Sequence, residues 1–272
     1  SKTACLDVTV DDVSSHGGTV QIGPQGDIVA TLIGERVVET ATGKVSTKFV
    51  VEKSYVDMRG GDSGVALFEA YGMSTWPGST TLDIQLRADA GPIFVVPDKY
   101  ASGLAVGCDS DCSYTSKDST FQYMDNQVRN VVIRGISNSN GLPIIRGNEA
   151  KYQIFYVPPE RTLTLSNVQL DRGKIVNYGT LLVDNAHFEW AIFSSGIYNH
   201  GLLSATSTMF RYSGSQNERS GRANFTDCTF ANNSRSSIKN NDGYIHVVKS
   251  VFEHNVASSI ESRGVTVLDD CT

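Results

Sequence analysis

The sequence predicts an all-β chain whose later part winds as a solenoid of parallel strands, and three observations predict it. Setting Gly179, Gly201, Gly221, Gly243 and Gly264 above one another gives a period of 20 to 22 residues. Two and four positions after each glycine come the pairs Leu181 and Val183, Leu203 and Ala205, Ala223 and Phe225, Ile245 and Val247, Thr266 and Leu268. Three positions further stands a small residue (Ala186, Thr208, Cys228, Ser250, Cys271), followed two later by Phe188, Phe210, Phe230 and Phe252.

A period near 21 is too short for a helix pair, so each unit is one that buries itself only against its neighbours. Steps of two place alternate side chains on one face of a strand. The step of three before the small residue marks a corner that keeps the same side inward. The leading glycine turns the chain between coils and is expected to take a positive φ there. Coils of about 21–22 residues then stack like strands in parallel, about 4.8 Å apart, and the four phenylalanines form an internal stack of offset rings.

The glycine-led strand, the small residue before Phe, and the asparagines of Phe230-Ala231-Asn232-Asn233 and Phe252-Glu253-His254-Asn255, each followed by Ser-Ser-Ile, carry a family likeness. They resemble right-handed parallel β-helix repeats, and are most similar to those of polymorphic outer membrane protein type among pectin-lyase-like extracellular solenoids. The resemblance is close over the last third of the chain and looser over the middle third. It implies a fold rather than an activity.

In chain order, residues 1–90 alternate without the 21-residue period. Strands are expected at Thr19–Ile22, Asp27–Ile33, Lys48–Glu52 and Ser79–Leu86. This segment is read as an irregular cap on the solenoid, since a bare first coil would expose a row of unpaired backbone groups; a separate small β domain is the alternative. Within it, Gly61-Asp62-Ser63-Gly64 matches the string around the nucleophile of chymotrypsin-like proteases. His16 stands only 47 residues before Ser63, however, with no room for the two barrels those enzymes place between the groups. The string is therefore read as a glycine-rich turn.

From residue 91 to 272 the parallel β-helix takes over. Short strands are expected at Ile93–Pro97, Val131–Gly135, Pro143–Gly147 and Ile154–Val157. Residues 101–130 are read as a projecting loop insertion, a common location for binding function. The regular coils run from 161 to 272: Leu163, Leu165, Val168 and Leu170 match the inward columns, with Arg161 in place of the glycine.

Charged residues make up 19% of the 272, and 25 glycines stand against 7 prolines. That composition suits an extracellular or cell-surface β protein. A net charge of −6 argues against nucleic acid as a partner. No apolar run approaches the roughly 18 residues of a membrane span, and Ser1-Lys2-Thr3-Ala4-Cys5 leads directly into polar alternation. The chain is expected to be a mature or excised piece. Of the five cysteines, Cys5, Cys108 and Cys112 are the disulfide candidates, because a bridge among them would staple irregular chain. Cys228 and Cys271 share an inward column two coils apart, about 9.6 Å by strand spacing. That exceeds disulfide reach, so both are expected to be buried thiols.

Chemistry on a packed solenoid must use outward columns. The seventh position reads Asn185, Ser207, Asp227, Lys249, Asp270, and the eleventh Glu189, Arg211, Ala231, Glu253. Asp227, Lys249 and Asp270 are the catalytic candidates if the protein is a polysaccharide lyase or glycoside hydrolase, since carboxylates and a base on such a face could act on a glycan. A charge ladder between neighbouring strands is the plainer reading. The five histidines (His16, His187, His200, His246, His254) have no metal-binding spacing, and no cofactor or metal is expected. Asn224-Phe225-Thr226 and Asn232-Asn233-Ser234 make Asn224 and Asn232 glycosylation candidates. The leading expectation is a non-catalytic adhesin passenger, or a module of a filament or envelope, binding surface glycans or proteins. The last coil is also expected to present an open C-terminal edge that a longer chain or a neighbouring subunit would cover.

Overall fold

The computed structural model describes residues 129–137, 141–146, 153–189 and 196–272, together with the earlier strands Gly18–Ile22, Ala30–Glu39, Lys44–Ser54, Ser79–Arg87, Ile93–Phe94 and Leu104–Ala105. Every described element is a strand or a turn, and the strands build three sheets that wind as a β-solenoid. In one coil the chain runs through sheet A at Leu202–Thr206, turns into sheet B at Met209–Arg211, and turns again into sheet C at Ser215–Asn217. It then enters sheet A of the next coil at Arg222–Thr226.

The pairing between coils is parallel and keeps every column that the repeats predict. Leu181 faces Leu203, Leu203 faces Ala223, Ala223 faces Ile245 and Ile245 faces Thr266. The same register carries Val183 through Ala205, Phe225 and Val247 to Leu268. In sheet B, Ile145, Leu170, Phe188, Phe210, Phe230 and Phe252 form one inward column. Its rings stack at centroid distances of 5.0, 4.8 and 4.9 Å with interplanar angles of 13° or less. Phe225 enters edge-on from sheet A, 5.8 Å from Phe210 and 5.4 Å from Phe230, so two sheets meet through aromatic contacts. These offset and T-shaped arrangements are the ones that ring quadrupoles favour.

The glycines do not serve the purpose the repeat suggested. Among the described glycines only Gly141 has a positive φ. What Gly201 and Gly264 provide is close approach: a Cβ would come within 2.2 Å of the carbonyl oxygen of Gly179 and of Gly243 respectively. Backbones of successive coils touch at this turn, which only a residue without a side chain permits. The positive φ values fall elsewhere, on side-chain-bearing residues. Asn167, Asn185, Ser207, Asp227, Lys249 and Asp270 hold the corner between sheets A and B at φ between 46° and 54°. Arg172, Tyr212, Asn232 and His254 hold the next corner at φ between 51° and 57°.

The small residue after the first corner has a bonding task as well as a size limit. Thr208, Cys228, Ser250 and Cys271 each donate to the carbonyl of the residue two before it, at 2.8, 3.4, 3.0 and 3.3 Å. Cys228 and Cys271 are free thiols. Cys5, Cys108 and Cys112 lie outside the described residues, as do His16 and the Gly61–Gly64 turn.

A second internal column was hidden in the sequence. Asn177, Asn199, Asn217 and Asn240 point inward at the end of sheet C and are fully buried. Each carboxamide donates to the next, at 2.7, 2.8 and 3.1 Å. Each also donates to carbonyls at the turn into sheet A, as Asn217 does to Gly221 and Tyr244. The backbone groups left over where the chain reverses are thereby satisfied, which a buried turn requires. A shorter ladder runs at the second corner, where Asn233 Oδ1 accepts from Ser213 N and Asn255 Oδ1 accepts from Asn233 N.

Earlier strands extend sheet A. Ser79–Arg87 pairs in parallel with Asn130–Ile136, and Lys44–Ser54 pairs in parallel with Ser79–Arg87. Ala30–Glu39 and Gly18–Ile22 then add in antiparallel order. Leu104–Ala105, which the sequence reading placed in a projecting loop, instead forms a strand of sheet C against Gln153–Val157. Asn130, at the far end of that same reading, begins a sheet A strand. The two-residue strand carries too little periodicity to stand out in a polar surround.

Candidate functional site

With the interior filled, functional side chains must stand on the outer faces and corners. The three catalytic candidates are all at the corner between sheets A and B: Asp227 at φ 52°, Lys249 at φ 49° and Asp270 at φ 53°. All three are exposed. None has a side-chain hydrogen bond or ion pair among the described residues. Asn185 and Ser207 share both the column and the conformation. The left-handed region favours Asn and Asp, whose short polar side chains tolerate it. Backbone geometry thus accounts for the recurrence of Asn and Asp in the column.

The outer face of sheet B carries an ionic ladder. Arg146, Asp171, Glu189, Arg211, Ala231 and Glu253 stand in one column. Arg146 Nε lies 2.6 Å from Asp171 Oδ2, and Arg211 is 3.8 Å from Glu189. Two opposite-charge pairs between neighbouring strands thus lie within the column.

The outer face of sheet A is different in kind. Its first column reads Thr180, Leu202, Arg222, Tyr244, Val265 and its middle column Leu182, Ser204, Asn224, His246, Val267. Leu202 is 53% exposed and Tyr244 39% exposed. His246 Nε2 sits 2.6 Å from Asp269 Oδ2, a diagonal pair that fixes the imidazole on the surface. Sequence reading missed this pair because the partners belong to different columns of successive coils. Asn224 is exposed in mid-strand on this face, whereas Asn232 sits half-buried in a left-handed corner. Among the described residues no three His, Cys, Asp or Glu side chains come together as metal ligands.

The turns into sheet A form a ridge beside the first column. On it Tyr178 and His200 stack at 4.4 Å and 3°, and Arg219, Asp242 and Arg263 follow along the axis. No family model, no curated protein and no solved structure matches the chain. What is shown is the parallel β-solenoid, and no family model or relative supports the polymorphic outer membrane protein or pectin-lyase-like likeness specifically.

Proposed function

We propose that this chain is a non-catalytic extracellular or cell-surface module, using the solenoid as a stiff spacer and its outer face as a binding surface for glycan or protein. One observation carries the reading. Asp227, Lys249 and Asp270, the residues on which an enzyme reading depends, occupy one left-handed corner position and have no side-chain hydrogen bond or ion pair among the described residues. Catalytic carboxylates need fixed distances, maintained by neighbours that lock their rotamers. Exposed corner side chains without partners do not supply them. The face of sheet A supports the binding role, since its exposed Arg222 and Tyr244 are of the residue types that anchor interfaces.

The test is a panel of glycans and polysaccharides scored for retention and for cleavage in the same samples. Retention without depolymerisation is expected. Depolymerisation that disappears in Asp227→Asn would replace this reading with the carbohydrate-active enzyme.

A further inference from the structure

We infer that the ridge between sheets C and A carries a binding site for the guanidinium group of an arginine on a protein partner, anchored on Glu218. The inference rests on the binding-module reading and gives that module a partner of stated chemistry. The site is built from one column of the ridge. Tyr178, His200, Glu218 and Asn241 each directly follow a residue of the asparagine ladder. The backbone amides of His200, Glu218 and Asn241 donate to the carbonyls of Asn177, Asn199 and Asn217 at 2.7, 2.8 and 2.7 Å. The four side chains therefore stand in consecutive coils, each half-buried.

Glu218 is held in place and yet not neutralised. Its Oε1 accepts from Gln216 Nε2 in the same coil and from Asn241 Nδ2 in the next, the latter at 3.2 Å. Its Oε2 has no hydrogen bond or ion pair among the described residues. Other carboxylates of the solenoid lack one of these two properties. Asp171, Glu189, Glu261 and Asp269 each face an arginine, lysine or histidine. Asp227, Asp242, Glu253 and Asp270 are exposed, with neither an ion pair nor a side-chain hydrogen bond among the described residues to orient them. A carboxylate fixed in advance takes a cation without first losing rotamer freedom.

His200 supplies the second contact. Its ring stacks on Tyr178 at 4.4 Å and 3°, which covers the face toward the preceding coil. The opposite face looks toward the coil of Glu218, whose carboxylate is drawn aside by Gln216 and by Asn241 of the coil beyond. No ring of a described residue covers that face. A planar cation laid against it donates from its edge to Glu218 Oε2, a combination of stacking and directed donation that guanidinium permits and ammonium does not. The chain's own cations do not take the place. Lys239 is 3.9 Å from Glu261, and Arg219 follows Glu218 in the chain without pairing with it. Arg263 stands in the same column two coils beyond Glu218, about 9.6 Å by strand spacing. Asp242, next to Asn241, and a net charge of −6 favour a basic partner.

NMR titration of the whole chain tests the site, following the ring protons of His200 and the backbone amide of Glu218. The probes are acetyl-Gly-Arg-Gly-amide and the same peptide with lysine or with citrulline, the uncharged planar counterpart of arginine. The arginine peptide should bind with a Kd of about 1–10 mM, as one anchor residue allows. The lysine peptide should bind about threefold or more weakly and the citrulline peptide not measurably. Glu218→Gln should weaken the arginine peptide by about 10-fold or more, and His200→Ala, read on the Glu218 amide, by about threefold. Glu253→Gln, at an exposed carboxylate on sheet B, should leave binding unchanged, and unaltered melting confirms that the variants fold. Arginine binding that survives Glu218→Gln, or no binding at all, would overturn the site while leaving the binding-module reading intact. Equal binding of the citrulline or lysine peptide would overturn the ligand class. Depolymerisation of a polysaccharide by the natural chain would overturn the reading beneath it.

Discussion

Asn199 Nδ2 donates to Asn217 Oδ1 at 2.8 Å across one coil, with both residues fully buried. The contact belongs to a ladder that fixes the register of the coils at the turn into sheet A. Asn217 also donates to Gly221 O at 3.0 Å and Tyr244 O at 3.3 Å. Asn217→Ala should therefore cost about 2–4 kcal/mol, because buried carbonyls and a neighbouring carboxamide lose their partners together. Asn241→Ala, one position after the ladder residue Asn240 and with its side chain donating to Glu218 instead, should cost under about 1 kcal/mol. Equal urea midpoints for the two variants would show that the ladder is incidental.

Truncation of the ring stack provides an independent check on the interior. Phe230 lies 4.8 Å from Phe210 and 4.9 Å from Phe252 and meets Phe225 edge-on. Phe230→Ala should cost about 3–5 kcal/mol and leave a cavity. Lys249→Ala, at an exposed corner, should stay within about 1 kcal/mol. Thermal unfolding of both decides, and similar midpoints would mean that the inward and outward columns are misassigned.

Ser215 is the one polar residue in an otherwise apolar column. It replaces isoleucine between Ile197 and Ile238 and its Oγ is buried with no hydrogen-bond partner among the described residues. Leaving a buried hydroxyl unpaired is unfavourable by about 1–3 kcal/mol. Ser215→Ala should accordingly be neutral or stabilising by about 1 kcal/mol, read as a raised thermal midpoint. A loss above about 1 kcal/mol would imply a partner for that hydroxyl.

Burial pushes the Cys228 thiol up from 9.0 to about 11, with the negative charge of Asp227 acting in the same direction. Below pH 9 the thiol is protonated in both folded and unfolded chains and has no effect on stability. Between pH 9 and about 11 only the unfolded chain ionises, so stability falls, by about 2–3 kcal/mol once the folded pKa is passed. Relative to Cys228→Ala, the natural chain should lose this increment between pH 8.5 and 11 in denaturant titrations at about half-unit steps. Parallel pH curves would contradict the assignment, as would rapid thiol labelling of Cys228 at pH 8 in the folded protein.

The parts of the fold legible in the sequence were those written at fixed offsets. The glycine-led columns ending in Phe188, Phe210, Phe230 and Phe252 carry the same spacing in each coil, and the structure keeps that register. The asparagine ladder escaped notice because the turn after it varies in length: Asn199 precedes its glycine by two residues, Asn217 by four and Asn240 by three. The glycine itself was misread because close backbone approach and positive φ both select Gly, and a sequence does not tell them apart. In the seventh column the left-handed corner recruits Asn and Asp, which are also residues of catalysis and binding, so the sequence alone does not separate the two roles. The pairing of the arginines was invisible for a related reason: partners are a property of three-dimensional register, and Arg211, which pairs with Glu189, and Arg222, which has no ion pair among the described residues, look alike in one dimension.

We propose that the corner column serves the backbone and not a reaction. The most direct test is the variant with Asp227→Gly, Lys249→Gly and Asp270→Gly together, assayed for thermal midpoint and for polysaccharide retention and cleavage beside the natural chain. Glycine accepts the left-handed corner without the Cβ penalty, so the midpoint should be unchanged or raised, with most of any gain coming from Lys249. Retention of glycans should be unchanged and neither protein should shorten a polymer. A natural chain that cleaves polysaccharide, and a triple-glycine variant that folds but does not, would contradict the account.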